Sequence, residues 1–426
     1  MPAAVVGFAG MTHLGIVSAI ATAAQGFTVR AYEADAKVVE RLRRDDLPIF
    51  EPDLDQLLAA NRDRICFSSQ ASDLACCDVV YVAADAQTDD EGRSDLAPIS
   101  GLIDRTADNL RDDAILVLLC QLPPGFTRAV AAVPHDRLFC QVETLVFGRA
   151  VARALNPERF IVGCADPARP LPARYREILD AFGCPVFPMR YESAELAKIS
   201  INFCLVASIT VANVLAEISE SIGADWMEIV PTLRLDRRIG PHSYLSPGLG
   251  IAGGNLERDL RTVLDLAHEN GADAGIVDAW LANSRRRRDW CWRVLQDRVL
   301  KTNPRARIGV LGLAYKENTR STKNSPALAL LERLRGNDLR VHDPVVPAEI
   351  VPFATGCSDP LACAEGAEAL VLATPWAQYR ELRIADIARV MPGRVLIDPF
   401  RLLSGEAAVA AGFEYHALGM PPLVSR

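Results

Sequence analysis

A glycine-rich turn near the start of the chain has the residue types of a phosphate-binding site. An apolar run at residues 4–8 leads into the sequence GFAGMTHLG at residues 7–15, and a helical pattern follows. Glycines at a strand-to-helix turn let the backbone approach a pyrophosphate, and the helix N-terminus supplies N–H groups and a positive dipole. The spacing is not G-x-G-x-x-G, so a tight structural turn is the alternative. The predicted cofactor contacts in this turn are Gly7, Gly10, Thr12, His13, Leu14 and Gly15.

An acidic residue follows at the distance that a dinucleotide site requires. Glu33 ends the second apolar run, about 20 residues after the turn. A carboxylate there can bind the hydroxyls of the adenosine ribose, and it repels a 2′-phosphate. The turn and the acid together predict a site for NAD rather than NADP. The alternative for Glu33 is a solvent-exposed strand end.

Lys198 and Asn202 lie one helical turn apart, so they share one face of a predicted helix. Asp259 follows a glycine-rich stretch, residues 240–254. Each residue also has an ordinary structural interpretation, with Lys198 as an exposed helix lysine and Asp259 as a helix cap.

Strand–helix alternation surrounds these residues. The predicted strands of the first third are residues 4–8, 28–33, 65–68, 78–83, 114–120 and 138–142. They are rich in Val, Ile and Leu, as strands covered on both faces are. Residues 193–220 contain almost no Gly or Pro and predict a helix about 40 Å long. A second helical stretch runs from residue 273 to about 299. The strand pattern restarts at residues 308–313, 339–342, 369–373 and 395–398.

We therefore predict an α/β fold with two doubly wound, Rossmann-like parallel-sheet domains joined by a long central helix. The predicted domain bounds are residues 1–190, 191–300 and 301–426.

The composition narrows the class of protein. The formal net charge is −8, and an acidic chain does not have the overall positive charge that favours binding to nucleic acid or to an anionic membrane. We expect no signal peptide, and no apolar run near the 18–20 residues that span a bilayer. The 11 cysteines are scattered, which favours reduced thiols in a cytoplasmic protein. No His or Cys cluster predicts a metal site.

Six segments resemble motifs of the UDP-glucose/GDP-mannose dehydrogenase family, in the order and with the gaps of that family. They are EPDL at 51–54, ELAKISIN at 195–202, DRRIG at 236–240, GLGIAGG at 248–254 with Asp259, GLAYK at 312–316 with SP at 325–326, and DP at 343–344. The resemblance implies an N-terminal NAD-binding domain, a helical middle that forms a homodimer, and a C-terminal domain that binds the nucleotide of a sugar. UDP is favoured over GDP only because it is commoner in the family.

Members of this family usually oxidise a sugar alcohol twice, to a carboxylate. The second oxidation passes through a thioester on a cysteine, because a thiolate is strongly nucleophilic and also leaves readily. By resemblance, Lys198 and Asn202 stabilise the alkoxide of the first oxidation, and Asp259 orders a water or tunes the lysine.

Three positions depart from the family, and two of them concern the second oxidation. Asn255 stands where the family has its cysteine, and an amide cannot form the covalent adduct. Phe147 stands where the family has a glutamate that helps to hydrolyse the thioester, and Gln121 replaces a threonine near the nicotinamide. The alternative nucleophile is Cys204, on the predicted long helix.

The resemblance carries further residues over to binding roles. The catalytic set is Lys198, Asn202, Asn255 and Asp259. Further cofactor contacts are Asp85, Gln121, Glu143 and Lys323. The substrate contacts are Glu143, Leu145, Lys198, Asn202, Arg238, Tyr244, Gly248, Gly250, Gly253, Gly254, Lys316 and Arg401.

Three functions fit these observations. The first is an NAD-dependent oxidoreductase that makes one hydride transfer from a nucleotide sugar. The second is a redox-neutral epimerase, in which tightly held NAD takes the hydride and returns it. The third is a non-catalytic regulator that binds sugar nucleotides.

Overall fold

The first 201 residues fold around an eight-stranded sheet in a computed structural model that describes residues 3–89 and 93–425. The strands of this unit are β1 (Val5–Ala9), β2 (Thr28–Tyr32), β3 (Ile65–Ser68), β4 (Val79–Val82), β5 (Gln87–Thr88), β6 (Ser94–Asp95), β7 (Ile115–Leu118), β8 (Leu138–Gln141), β9 (Phe160–Cys164) and β10 (Val186–Arg190). The sheet order is β10-β9-β8-β7-β4-β1-β2-β3, and β5 pairs with β6 in a separate hairpin.

The central strands are buried because helices cover both faces of the sheet. Strands β4 and β7, with the sequences VVYV and ILVL, are buried along their whole length. The helices are α1 (His13–Ala24), α2 (Ala36–Arg43), α3 (Leu54–Ala60), α4 (Ala97–Ala107), α5 (Phe126–Ala129), α6 (Ala150–Leu155) and α7 (Ala173–Asp180). Strand β1 has β2 on one side and β4 on the other, so the chain reverses its direction of winding between β1 and β4. Open α/β sheets bind their ligands at such a point.

Two strands of this sheet were not predicted, namely β9 and β10, and they change its character. Strand β9 runs antiparallel to β8 and parallel to β10, so the sheet is mixed rather than wholly parallel. The other neighbouring pairs in it are parallel.

A 32-residue helix, α8 (Tyr191–Ile222), begins in the first unit and continues into the second. By length and composition alone it is able to cross a membrane, with a mean hydropathy of 2.0 over its most apolar window. Our expectation concerned a continuous apolar run of about 18–20 residues, and α8 contains no such run. The core helix of a soluble protein can have the same length and composition. Polar residues at positions 202, 208 and 213 interrupt the apolar run and hid it from a search for continuous apolar sequence.

The second unit, Asn202–Arg426, is built on a six-stranded parallel sheet in the order β13-β12-β11-β14-β15-β16. Its strands are β11 (Arg307–Leu311), β12 (Asp338–His342), β13 (Thr355–Gly356), β14 (Ala369–Leu372), β15 (Val395–Ile397) and β16 (Glu414–His416). Its helices after α8 are α9 (Trp226–Leu235), α10 (Asn255–Asn270), α11 (Gly275–Arg288), α12 (Trp290–Leu295), α13 (Pro326–Arg333), α14 (Pro360–Ala364), α15 (Ile384–Val390) and α16 (Gly405–Ala410).

The predicted fold class is confirmed, since each unit contains a doubly wound sheet and α8 is the long central helix. The structure forms two compact units, and the three-part division at residues 190 and 300 stays a prediction.

Candidate cofactor and substrate sites

The turn after β1 begins at Gly10. The prediction that the glycine motif of this turn starts at Gly7 is therefore wrong. Gly7 lies within β1, where an added Cβ would lie 2.8 Å from Cγ2 of Val80. Gly10 has a φ of +94°, and a Cβ on Gly15 would lie 1.8 Å from the carbonyl oxygen of Gly10. Gly10 therefore makes the turn, and Gly15 lets α1 pack against it. Within residues 10–15 the motif is G-x-T-x-x-G, with Thr12 in place of the second glycine of a dinucleotide turn.

Two carboxylates accept hydrogen bonds from the backbone of this turn. Oε2 of Glu33 accepts from the N–H of Met11 at 2.8 Å, which holds the acid beside the turn at the end of β2. Oδ2 of Asp85 accepts from the N–H of Leu14 at 3.1 Å, while the Asp85 N–H donates to Oγ1 of Thr12 at 2.9 Å. Glu33 has the position that ribose binding requires, and Asp85 lies at the N-terminus of α1.

The His13 side chain contacts Glu51, a buried glutamate. Glu51 belongs to the EPDL motif, but the sequence predicted no role for it. Nε2 of His13 lies 2.8 Å from Oε1 of Glu51, whose carboxylate also accepts from the N–H groups of Gly148 and Ala150 at 2.8 and 3.2 Å. The ring of Phe147 lies 4.2 Å from the His13 ring, centroid to centroid. Thus an aromatic contact occupies the position where the family resemblance implies a hydrolytic glutamate.

Glu143 lies two residues after β8 and interacts electrostatically with Lys198 of α8. Burial raises the pKa of the Glu143 carboxyl, and the charge of Lys198 opposes that rise. The N–H of Thr144 donates to Oε1 of Glu143 at 2.5 Å. Leu145 is half-buried and packs against the core of the first unit. These contacts place a carboxyl and an ammonium near each other within the first unit.

The loop that carries Gln121 is fixed by Glu195 of α8. The Glu195 carboxylate is buried and accepts from the N–H groups of Gly125 and Thr127 at 2.6 and 2.8 Å. Gln121 is half-buried at the start of this loop. Its neighbour Cys120 is buried, and burial raises the pKa of its thiol to about 12, so it is protonated at neutral pH.

In the second unit, backbone N–H groups of the predicted sugar-binding loop donate hydrogen bonds to side chains of two helices. The N–H of Gly248 donates to Oδ1 of Asn213 at 2.8 Å, and the N–H of Ile251 donates to Oγ of Ser284 at 2.8 Å. Gly250 has a φ of +82°, and a Cβ there would lie 2.4 Å from the carbonyl oxygen of Ser284. Asn213 and Ser284 were not predicted from the sequence, because their only signal is the fold.

The end of this loop contacts the segment after β11. The N–H of Gly253 donates to the carbonyl oxygen of Lys323 at 3.0 Å, and Nδ2 of Asn324 donates to the carbonyl oxygen of Gly253 at 3.0 Å. A Cβ on Gly253, whose φ is +77°, would lie 3.0 Å from the Tyr315 ring. The ammonium of Lys316 lies 5.6 Å from the centroid of that ring. Gly253, Lys316 and Lys323, which were predicted as site residues, therefore share one neighbourhood.

Asn255 is helical and follows the glycine-rich loop directly. It is the first residue of α10, with Gly254 at the N-cap, and its side chain is exposed. One turn later Asp259 is buried, and Nδ2 of Asn202 donates to its Oδ2 at 2.5 Å. Nε of Arg258 lies 3.5 Å from Oδ1 of the same carboxylate. The structure thus brings together Asn202 and Asp259, as the resemblance implies.

Three other predicted substrate residues lie elsewhere in the second unit. Arg238 is exposed and pairs with Asp236, at 2.6 Å, while the Tyr244 side chain is 50% exposed. The Arg401 guanidinium donates to both carboxylate oxygens of Asp225 at 2.7 and 2.8 Å, and to the carbonyl oxygen of Leu418. This pairing gives no support to a substrate contact by Arg401, which stays a prediction.

Comparisons with known proteins decide the family. Three models of the UDP-glucose/GDP-mannose dehydrogenase family match: its NAD-binding domain at residues 4–182, its central domain at 192–285 and its UDP-binding domain at 309–405. The chain belongs to the UDP-glucose/GDP-mannose dehydrogenase family. It is 30% identical to the UDP-glucose 6-dehydrogenase of Pseudomonas aeruginosa, over 97% of this chain and 96% of the relative.

Solved structures agree on the fold. The UDP-glucose dehydrogenase of Pyrobaculum islandicum has a TM-score of 0.87 at 26% identity, and the match covers 98% of each chain. The UDP-D-ManNAc dehydrogenase of Pyrococcus horikoshii has a TM-score of 0.84 at 23% identity, and covers 97% of this chain and 99% of its own.

The family membership confirms three predictions. The chain is an enzyme of the NAD-dependent nucleotide-sugar dehydrogenase type, NAD is its cofactor, and a nucleotide sugar is its substrate. The comparisons give no support to the epimerase or to the non-catalytic regulator. Among the described residues, no group of three or more His, Cys, Asp or Glu has the arrangement of a metal site.

Proposed function

We propose that this enzyme oxidises an alcohol of a UDP-sugar by one hydride transfer and releases the carbonyl product without forming a thioester. The observation that carries this proposal is Asn255, exposed at the first position of α10, where the family resemblance implies a cysteine. A side-chain amide can donate a hydrogen bond to a carbonyl oxygen, but it is not a nucleophile of the kind that forms acyl intermediates.

A second departure supports the same conclusion. Phe147 packs on His13 and offers no carboxylate to activate water against a thioester. Cys120 does not replace the missing thiolate, because burial keeps its thiol protonated. Loss of the nucleophile together with loss of the hydrolytic group favours an enzyme that has abandoned the second oxidation.

The retained residues suit the first oxidation. Bound NAD supplies the hydride acceptor. We assign Lys198 and Asn202 to the substrate oxygen: the ammonium stabilises negative charge there, and the amide donates a hydrogen bond. Asp259 accepts one Asn202 hydrogen at 2.5 Å and so orients the amide, whose second hydrogen can be donated to the substrate. The alcohol loses its hydroxyl proton to solvent and a hydride from carbon, which leaves an aldehyde or a ketone.

We propose a cytoplasmic homodimer formed through α8. Four apolar side chains along this helix, at helical spacing, are 41–70% exposed: Val211, Val214, Ile218 and Ile222. Contiguous apolar surface of this kind marks an interface, and a second copy offers the matching apolar face. Arg238, exposed on a neighbouring segment, would then contribute to the substrate site of the partner, as the family resemblance implies.

The product identifies the reaction. Incubation with NAD and a panel of UDP- and GDP-sugars, followed by mass spectrometry, should give a product that has lost two hydrogens and forms a hydrazone with an added hydrazine. A product that has also gained one oxygen, as in a uronate, would contradict the proposal. A UDP-sugar is expected to be the best substrate, and a preference for a GDP-sugar would correct the nucleotide alone.

A further inference from the structure

A hydrogen-bonded bridge joins the two loops that border the cofactor site of the first unit. Thr12 ends the turn after β1, and Asp85 lies three residues after β4. The Asp85 N–H donates to the Thr12 hydroxyl at 2.9 Å, and the Asp85 carboxylate accepts from the N–H of Leu14 at 3.1 Å. The bridge therefore crosses the point between β1 and β4 where a doubly wound sheet binds its ligand.

Both residues are unusual for a turn that binds a pyrophosphate. The second glycine of such a turn is there so that the backbone can approach the phosphates, and Thr12 puts a β-branched side chain at that position. The N–H groups at the N-terminus of the following helix normally face the phosphates. Here the N–H of Leu14 already binds a carboxylate, which carries a negative charge of its own.

The loop that carries Asp85 has little room to retreat from the turn. A Cβ placed on Gly10 would lie 3.1 Å from Cβ of Ala84, so the two backbones are already in close contact. The Asp85 side chain itself is exposed, and it can rotate away from Leu14 without disturbing the core. The side chain, rather than the loop, is the part that moves when an anion takes its place.

We propose that Asp85 sets the affinity of this enzyme for its cofactor by competing with the pyrophosphate for the N-terminus of α1. Each binding event displaces the carboxylate from Leu14 and brings two like-charged groups close together. The chain then binds pyrophosphate-containing ligands more weakly than its glycine turn alone would allow. This inference rests on NAD as the cofactor and is independent of whether one or two hydrides are transferred.

The ordinary role of an acid at this position is to cap the helix. A cap stabilises the helix by accepting an N–H bond and by its charge near the positive end of the dipole. In that case its removal would lower the thermal stability of the first unit and would not tighten cofactor binding. Asp85→Asn separates the two roles, because the amide oxygen still accepts from Leu14 while the negative charge is gone.

The test is calorimetric binding of NAD⁺, ADP-ribose and adenosine to the full chain and to its Asp85→Asn and Asp85→Ala variants. A unit charge a few ångströms from a phosphate in largely aqueous surroundings is worth on the order of tenfold in a binding constant. We therefore expect NAD⁺ and ADP-ribose to bind both variants about tenfold more tightly. Adenosine, which has no phosphate, should bind all three proteins equally.

Asp55→Asn is the matched control, since Asp55 is an exposed aspartate in the first turn of α3 and its loss should leave all three affinities unchanged. Unchanged or weaker NAD⁺ binding by Asp85→Asn, with the thermal unfolding of the variant intact, would overturn the inference. A similar gain with adenosine would also overturn it, because the effect would then not involve the pyrophosphate. Neither result bears on the product of the reaction, so failure here is distinct from failure of the proposed function.

Discussion

Replacing Glu51 by alanine should destabilise the first unit strongly, although Glu51 is far from any predicted chemistry in sequence. Its side chain is fully buried, and its carboxylate accepts from the N–H groups of Gly148 and Ala150 at 2.8 and 3.2 Å. Each buried donor left without an acceptor costs about 1–3 kcal/mol, so two cost about 2–6 kcal/mol. A unit of this size loses about 2–4 °C of unfolding temperature per kcal/mol. Calorimetry should show a fall of about 10 °C.

Two controls accompany this variant. Glu51→Gln keeps one oxygen acceptor and should lose roughly half as much stability. Glu40→Ala removes an exposed carboxylate whose partner is Arg44, and such surface pairs are worth about 0–1 kcal/mol. If Glu51→Ala unfolds within 2 °C of the unmodified protein, as expected for a surface pair worth less than about 1 kcal/mol, the buried hydrogen bonds do not hold this loop.

Three further predictions concern the chemistry and the assembly. Asn255→Cys should add its thiol to the aldehyde, and a second NAD⁺ should oxidise this thiohemiacetal to a thioester that accumulates and is visible by intact-protein mass spectrometry. Adding Phe147→Glu should let water hydrolyse the thioester to the acid. No adduct in Asn255→Cys would mean that position 255 does not face the substrate. Cys204→Ser should keep full activity, and loss of activity would identify Cys204 as a migrated nucleophile. Iodoacetamide at pH 8 should leave Cys120 unlabelled, because only roughly one thiol in ten thousand is ionised when the pKa is about 12. Ile218→Glu should give a monomer in analytical ultracentrifugation, since it places a charge in the apolar face of α8; an unchanged dimer would place the interface elsewhere.

Most of the fold was predictable because buried parallel strands appear in the sequence as short runs rich in Val, Ile and Leu. Residues 65–68 were predicted as a strand and are β3 without change, and the 28-residue prediction for the long helix compares with 32 residues in α8. Strand β10 was missed because its sequence, VFPMR, contains a proline and is only partly buried. Antiparallel pairing of β9 with β8 depends on a chain reversal that no local pattern encodes.

The glycines of the sequence were enough to predict the cofactor turn, but not to predict which glycine begins it. Gly7 and Gly10 are both glycines near a strand end, and only the φ of +94° at Gly10 shows which one makes the turn. Asp85 was predicted as a cofactor contact by resemblance, but its hydrogen bond with Leu14 was invisible in the sequence because it joins two segments more than 70 residues apart in the chain. Sequence spacing identifies which residue types are available and does not show which of them meet.

The sequence did not show which charged side chains are buried. The run Arg285–Arg288 has the composition of a solvated helix face, yet Arg287 is fully buried, and its guanidinium lies 2.9 Å from Oε1 of Glu220 on α8. Pairing with a carboxylate makes such burial possible. The partner lies 67 residues earlier in the chain, so a helical wheel alone cannot reveal it.

The most direct test of the reaction is the number of NADH molecules formed for each sugar consumed. With limiting UDP-sugar, excess NAD⁺ and a hydrazine to trap the carbonyl, absorbance at the nicotinamide band gives the count and chromatography gives the sugar consumed. We predict one NADH per sugar and a trapped carbonyl product, because Asn255 and Phe147 cannot support a thioester. Two NADH per sugar with a uronate product would show that this chain completes the four-electron oxidation without the cysteine at position 255.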